Sequence, residues 1–336
     1  MTKVTYKEAG VDVAVSDKAK ENIKGMVRST FSKNVLKDIG LFGGFYELDI
    51  KKLKQPVLVT SIDGIGTKIK IAQMMGIYHT IGEDLVNHCV NDLMVCGAEP
   101  IFFLDYLAAD KLNIEIVQEI VQGISRACKN NTCVLIGGET AEMPGVYAEN
   151  NWDIAGAIVG LVEKNAIIDG SKIQAGDALI GITSNGLHTN GYSLARKIFF
   201  EIKNYNVNCF IEETQSTLGE ELLRPHRSYQ NLINKTKSIE SLHGISHITG
   251  GGIVGNTKRL LRKNLDLKIN WSAWEVPPIF HIIKREGKVL ESEMRNVFNL
   301  GIGLILIVKE ESTDEFLNLF RENREESYVI GSIIPK

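Results

Sequence analysis

Asp63–Ala72 reads Asp-Gly-Ile-Gly-Thr-Lys-Ile-Lys-Ile-Ala and sets an acid, two glycines and a lysine close together. Gly64 and Gly66 let backbone N–H groups approach a ligand, while Thr67 and Lys68 open a helix whose N-terminus attracts negative charge. Asp63 adds the hard oxygen donor that Mg²⁺ prefers, so the stretch suits a phosphate group carried with its cation. It is not a Walker A loop, and Ile69 stands where a dinucleotide fingerprint needs its third glycine. An Asp-Gly step is also a common connector between strand and helix, so other residues must decide.

Four further stretches offer matching chemistry. Over Gly82–Gly97, Asp84, Asn87, His88 and Asn91 recur at helical spacing and form one polar face, with Asp92 beside it. That face is either a solvated surface or part of a site; in the second case Asp92 joins Asp63 as a metal ligand. Gly137–Tyr147 repeats the glycine-plus-acid pattern with Gly137, Gly138, Glu139 and Glu142, as a loop beyond a strand. Both glutamates could join the two aspartates around one nucleotide and its metal, since like-charged carboxylates need a cation to share a site. Ser184–Ser193 gathers Asn185, His188 and Asn190; His188 is a phosphate contact, an acid, or an ordinary loop histidine. Gly250, Gly251 and Gly252 precede a helix expected over 257–262 and form a plausible phosphate nest.

Elements must hold these residues in place. Pro56–Ile62 reads as a buried strand ending at Asp63, and Ile101–Ala108 as another, interrupted by Asp105. A buried acid needs a partner, so Asp105 bonds a neighbouring backbone group or lysine, or else joins the metal site. Asp110 is expected to cap a helix whose Ile116, Val117, Ile120, Val121, Ile124 and Cys128 form a core stripe. Strands follow at Thr132–Ile136 and Trp152–Glu163. Turn signals at 167–176 divide the chain into 1–168 and 169–336. The second half has strands at Asp177–Thr183, Leu304–Val308 and Tyr328–Ile334, with helices opened by Pro277-Pro278 and spanning Thr313–Arg324. Residues 1–55 form an N-terminal arm with one helix near Ala19–Arg28. This arm is either a tether or dimer contact, or a substrate loop containing Lys24.

The 336 residues, 44% hydrophobic and 24% charged, fit an ordinary globular protein of two domains. A net charge of −3 excludes nucleic acid as a bulk electrostatic partner. Five scattered cysteines without paired spacing point to reduced thiols and a cytoplasmic setting rather than disulfides or a zinc site. No apolar stretch suggests a signal peptide or membrane span.

Seven ordered motifs together resemble the phosphoribosylformylglycinamidine cyclo-ligase family: Tyr6–Asp12, Asp63–Lys68, Val90–Pro100 with Phe103–Tyr106, Gly137–Tyr147, Gly186–Tyr192, His247–Gly252 and Glu293–Gly303. The resemblance implies an α+β protein of two domains. Its N-terminal ATP-binding sheets pair across a homodimer as an intersubunit β-barrel, and its C-terminal domain is an α/β sandwich. It implies ATP and Mg²⁺ as cofactors and formylglycinamidine ribonucleotide as substrate. ATP would phosphorylate the substrate's amide oxygen before ring closure to aminoimidazole ribonucleotide. By the same resemblance, Asp63, Asp92 and Glu139 are metal ligands. Lys68 and the glycines of both loops contact phosphate, and Lys24, His188 and Asn190 contact substrate. The nearest rivals are a small-molecule kinase of the same architecture and a catalytically silent nucleotide-binding protein. The chain departs from the usual pattern at Ala14-Val15-Ser16, Cys96, Gly255, Lys258 and Lys263. It also places His226 after Pro225, where threonine is usual.

Overall fold

The computed structural model describes residues 13–51 and 53–336; the Tyr6–Asp12 motif lies outside them. The described residues split into two compact units, one of those up to 93 with 99–163, the other of 94–98 and 164–336. Together they make a mixed α+β architecture. Among the described residues no helix is long and apolar enough to cross a membrane.

In the first unit α1 (Val13–Arg28) precedes β1 (Pro56–Gly64), α2 (Ile69–Met75), α3 (His79–Met94), β2 (Glu99–Ala109), α4 (Ile114–Asn130), β3 (Val134–Glu142) and β4 (Trp152–Glu163). The sheet order is β1-β4-β2-β3, with β2 and β3 parallel and the other pairs antiparallel. A parallel pair needs a long crossover, which α4 supplies. The apolar stripe expected on α4 is buried at Val117, Ile120, Val121, Ile124 and Cys128. Its cap is Asn113, whose side chain accepts from the Ile116 N–H at 3.1 Å. The expectation of Asp110 is thereby corrected: β2 runs on to Ala109 and a turn intervenes, so Asn113 stands where the helix actually starts.

Two glycines let α3 and α4 approach far more closely than side chains allow. A Cβ at Gly82 would lie 2.2 Å from the Ile120 carbonyl oxygen, and one at Gly123 would lie 1.9 Å from that of His79. The contact fixes α3 against the sheet, and α3 carries His88 and Asp92. Its apolar residues Leu85, Val86, Cys89, Val90, Leu93 and Met94 are fully buried, but so are Asp84 and Asn91. The polar stripe is therefore an interior surface and not a solvated one.

In the second unit β5 (Ala178–Thr183), α5 (Tyr192–Arg196), the hairpin β6 (Phe210–Ile211) and β7 (Ser216–Thr217), α6 (Leu218–Leu222) and α7 (Gln230–Thr236) come first. β8 (Leu242–His247), α8 (Gly252–Lys258), β9 (Leu265–Ile269), α9 (Pro278–Gly287), α10 (Glu291–Val297), β10 (Ile302–Val308), α11 (Thr313–Glu322) and β11 (Ser327–Pro335) follow. Five antiparallel strands run in the order β8-β10-β5-β11-β9. Every residue of β10 is buried, which requires cover on both faces. Leu179, Ile305, Ile307, Ile330 and Ile333 pack with Ile248, Ile253 and Trp274 to fill one of them. The helix after the triple glycine begins at Gly252 rather than Thr257, because the glycines form the turn and then enter the helix directly.

Gly123→Ala should destabilise the protein by about 1–3 kcal/mol, since its methyl group must push α3 away from α4. A urea midpoint equal to the parent's would show that the helices are not locked at this contact.

Candidate active site

β1 delivers Asp63 to the helix-facing side of the first sheet, one residue before the strand ends. His88 Nε2 lies 3.0 Å from one Asp63 oxygen and 3.8 Å from one Asp92 oxygen, so the imidazole sits between two carboxylates. The His88 side chain is only 5% exposed, whereas Asp63 and Asp92 keep 38% and 32%; the acids face outward from a buried histidine. Burial works against charge on Asp63, but the His88 hydrogen bond, its positive charge and the Gly64 N–H outweigh it and hold the carboxyl below its ordinary range. Burial likewise opposes the imidazolium. Asp63, Asp92 and Asp84 overcome it and raise His88 above the usual histidine value.

Gly66, Thr67 and Lys68 form a single 3₁₀ turn leading into α2, with Gly66 exposed. The Lys68 side chain is wholly buried, and its ammonium lies 2.8 Å and 2.9 Å from the two oxygens of Asp84 on α3. Burial lowers the Lys68 pKa despite this partner. The lysine read from sequence as a phosphate contact thus ties the glycine turn to α3 from inside.

Gly137, Gly138 and Glu139 lie within β3, which continues to Glu142; the expected loop is a strand because it pairs in parallel with β2 as far as Ala109. In that register Gly138 stands opposite Asp105, and Glu139 opposite Tyr106 on the other face. Asp63 and Asp105 flank Gly156 of β4 in one row and share the helix side, so Glu139 is not gathered with Asp63 and Asp92 within the chain. Glu142 accepts from the Leu112 N–H at 2.9 Å and anchors the turn before α4. Lys24 sits on α1, 3.4 Å from Glu21.

In the second unit, the β5–α5 loop and the triple glycine come together: a Cβ at Gly250 would lie 3.1 Å from Asn190 Oδ1. Asn256 Nδ2 bonds the carbonyls of Thr249, Gly250 and Gly252, and Asn299 Nδ2 bonds that of Gly186, so asparagines brace both loops. His188 adopts a left-handed backbone, with φ of 60°, and is 1% exposed. Its ring stacks on His226 with centroids 4.0 Å apart. His226 Nε2 is in turn 3.0 Å from His247 Nε2. Sequence reasoning assigned no role to His226 or His247. The signal for His247 was its place at the end of a strand beside the glycine loop; that for His226 was only its departure from the usual threonine after Pro225, because only the fold brings the α6–α7 segment to His188.

Residues 48–162 match the model of the AIR synthase related protein, N-terminal domain, and residues 174–336 that of the C-terminal domain. The chain is 47% identical over 334 residues to phosphoribosylformylglycinamidine cyclo-ligase of Alkaliphilus metalliredigens, covering 99% of this chain and 96% of that protein. It is 49% identical over 330 residues to the enzyme of the same name from Syntrophus aciditrophicus, covering 98% and 95%. The chain belongs to the phosphoribosylformylglycinamidine cyclo-ligase family. Solved structures share the cyclo-ligase fold at much lower identity. Thiamine-monophosphate kinase from Stenotrophomonas maltophilia superposes with a TM-score of 0.69 at 15% identity, covering 97% of this chain and 95% of that one. Hydrogenase maturation protein HypE in complex with ATP does so with 0.66 at 17%, covering 95% and 86%.

One half-buried acid, Asp105, has a measurable signature. A Cβ at Gly138 would lie 2.1 Å from Asp105 Oδ1, so the glycine makes room for this carboxyl beneath the sheet. Burial pushes Asp105 up to about 7, its own backbone N–H offsetting only part of the effect. In the unfolded chain it ionises near 3.9, so between about pH 4 and 7 the folded protein holds a proton the unfolded chain has lost. Stability from this site is therefore fully present at low pH, falls as pH rises through that window, and stays low above it. Asp105→Asn should match the parent near pH 4 and gain about 2–4 kcal/mol at pH 8 by urea unfolding. An equal difference at both pH values would show that Asp105 is not protonated in the fold.

Proposed function

We propose that the chain closes the imidazole ring of aminoimidazole ribonucleotide. ATP phosphorylates the amide oxygen of formylglycinamidine ribonucleotide. An amidine nitrogen then attacks that carbon, a proton is lost, and phosphate departs, leaving ADP and the aromatic ring. The observation that carries this reading is identity of 47–49% to cyclo-ligases over nearly the full length of both chains. An amide oxygen is a poor leaving group and its phosphate ester a good one, so the protein's task is to align the γ-phosphate with that oxygen and to neutralise charge. One well-placed donor or cation in such a site contributes about 2.7–4 kcal/mol.

Asp63 and Asp92 fit Mg²⁺: both are partly exposed oxygen donors, and a buried histidine holds Asp63 ionised and in position. When bound, the cation would offset the charge of the nucleotide's phosphates. His88 keeps Asp63 ionised and orients it. Lys68 holds the glycine turn through Asp84, so the exposed Gly66 backbone at that turn is where phosphate would approach. His188, Asn190 and the Gly250–Gly252 turn lie together and suit the ribonucleotide's phosphate and polar groups, and Lys24 on α1 is a further substrate contact.

The quaternary reading rests on the open face of the first sheet. Leu58 and Ile62 of β1 are 56% and 72% exposed, and Leu104 of β2 is 37% exposed on the same side. A contiguous apolar sheet face left to water marks an interface, and a second copy closing over it would form an intersubunit barrel. Glu139 looks to this side, so its contribution to the nucleotide site would be made beside the partner subunit.

Incubation with Mg²⁺-ATP and formylglycinamidine ribonucleotide should yield aminoimidazole ribonucleotide with one ADP per ring. ATP loss without the ring product would sink the assignment. Asp63→Asn and Asp92→Asn should each raise the Mg²⁺ concentration needed for half-maximal rate at least tenfold; parental activity at low Mg²⁺ removes that residue from the metal site. Ile62→Lys should turn a dimer into a monomer in sedimentation, and an unchanged mass would place the interface elsewhere.

A further inference from the structure

Three of the second unit's five imidazoles converge in its interior. His188 comes from the β5–α5 loop, His226 from the segment between α6 and α7, and His247 from the end of β8. They are 1%, 0% and 5% exposed, and one nitrogen from each lies within 4.8 Å of the other two. Three converging, buried imidazoles present a borderline-soft nitrogen donor set, which suits a first-row transition ion such as Zn²⁺ and not a hard cation such as Mg²⁺. We propose that His188, His226 and His247 form a binding site for one divalent transition-metal ion.

Several features build the site rather than merely crowd it. In a tetrahedral site with metal–nitrogen bonds of about 2.0–2.1 Å, ligand nitrogens are about 3.3 Å apart. His226 Nε2 and His247 Nε2, at 3.0 Å, are already near that spacing. At this distance they share one proton, which a metal ion would replace. His226 Nδ1 lies 3.3 Å from Thr189 Oγ1; with the proton on Nδ1, this contact turns Nε2 into the ligating atom, the arrangement that ordinarily orients a metal-bound imidazole. His188 is held inward by its left-handed backbone and by Gly303, where a Cβ would fall 2.6 Å from His188 Cε1. Opposite it, the Tyr229 hydroxyl donates to the Thr183 carbonyl at 2.9 Å and keeps the ring beside His188 in place. Because the His188 and His226 rings are stacked, ligation would turn one of them to aim its nitrogen at the ion, leaving a fourth position for an oxygen donor.

Ligation would also take His188 away from the ribonucleotide, a consequence that rests on the substrate role proposed for it above. Metal binding itself requires no substrate, so the two readings fail separately. Full-length protein stripped with chelator should take up one equivalent of Co²⁺ and develop the visible bands of a tetrahedral nitrogen–oxygen site, without a thiolate charge-transfer band. His226→Asn and His247→Asn, checked for native circular dichroism, should each weaken Co²⁺ binding at least tenfold, and His88→Asn should not. Should either of the first two fail to fold, Zn²⁺-induced shifts of the His188 ring resonances in the parent replace it as the measure. Bands that persist in His226→Asn, or that vanish instead in His88→Asn, would overturn the site, as would the absence of Co²⁺ uptake or of His188 shifts.

Discussion

Lys68 and Asp84 meet with neither side chain exposed to water, and the first unit is arranged around the need to keep them together. Removing two charges from water costs several kcal/mol each, and their mutual attraction offsets this only when the geometry is held closely. Lys68 belongs to the turn that follows β1, while Asp84 lies on α3. A pair that tolerates little separation therefore fixes the end of β1 against α3. One helical turn along α3 from Asp84 is His88, and one further turn on is Asp92. The distance from His88 to Asp63 is thus set by a contact in which neither residue takes part.

That ion pair can be held only if α3 itself does not drift, and its packing supplies the restraint. The approach of Gly82 and Gly123 leaves no gap into which α3 could slide toward α4, and the apolar residues of α3 are fully buried. The helix is buried on both its apolar and polar sides. Its polar groups must consequently find partners among neighbouring elements, and Asp84, His88 and Asn87 do so with Lys68, Asp63 and Asn131. Charge is concentrated where the sheet ends, so Asp63, half-exposed there beside His88, is held ionised.

Much of this was legible in the sequence because it follows from local patterning. Runs of β-branched and other apolar residues located β1, β2 and β4, and the helical spacing of apolar residues located α3 and α4. The polar stripe on α3 was visible as a stripe, but its burial was not, since sequence periodicity shows which residues share a face and not what covers it. Lys68 looked like a phosphate contact for the same reason: a lysine in a glycine turn is read by its neighbours in sequence, while Asp84 meets it only after α3 has docked. Gly137–Tyr147 reads as a loop because two glycines suggest a turn, yet parallel pairing with β2 gives the backbone groups as far as Glu142 partners and prolongs the strand. Alternation along that longer strand then placed Glu139 on the face opposite Asp63.

The second unit reaches order by a different route. Its two candidate loops are fixed by amide side chains that satisfy backbone carbonyls: Asn256 serves the glycine turn and Asn299 serves Gly186. Neutral amides can do this without the desolvation cost of an ion, so the loops remain rigid while presenting few charges of their own. This suits a surface that receives an anion, because any fixed carboxylate there would repel it. Histidine is the one titratable group admitted to the interior beside these loops in number. It can be present uncharged, and its nitrogens can donate, accept or ligate according to what arrives. The first unit therefore holds Asp63 charged through a buried histidine and ties Asp84 to a buried lysine, whereas the second gathers amides and imidazoles around its loops.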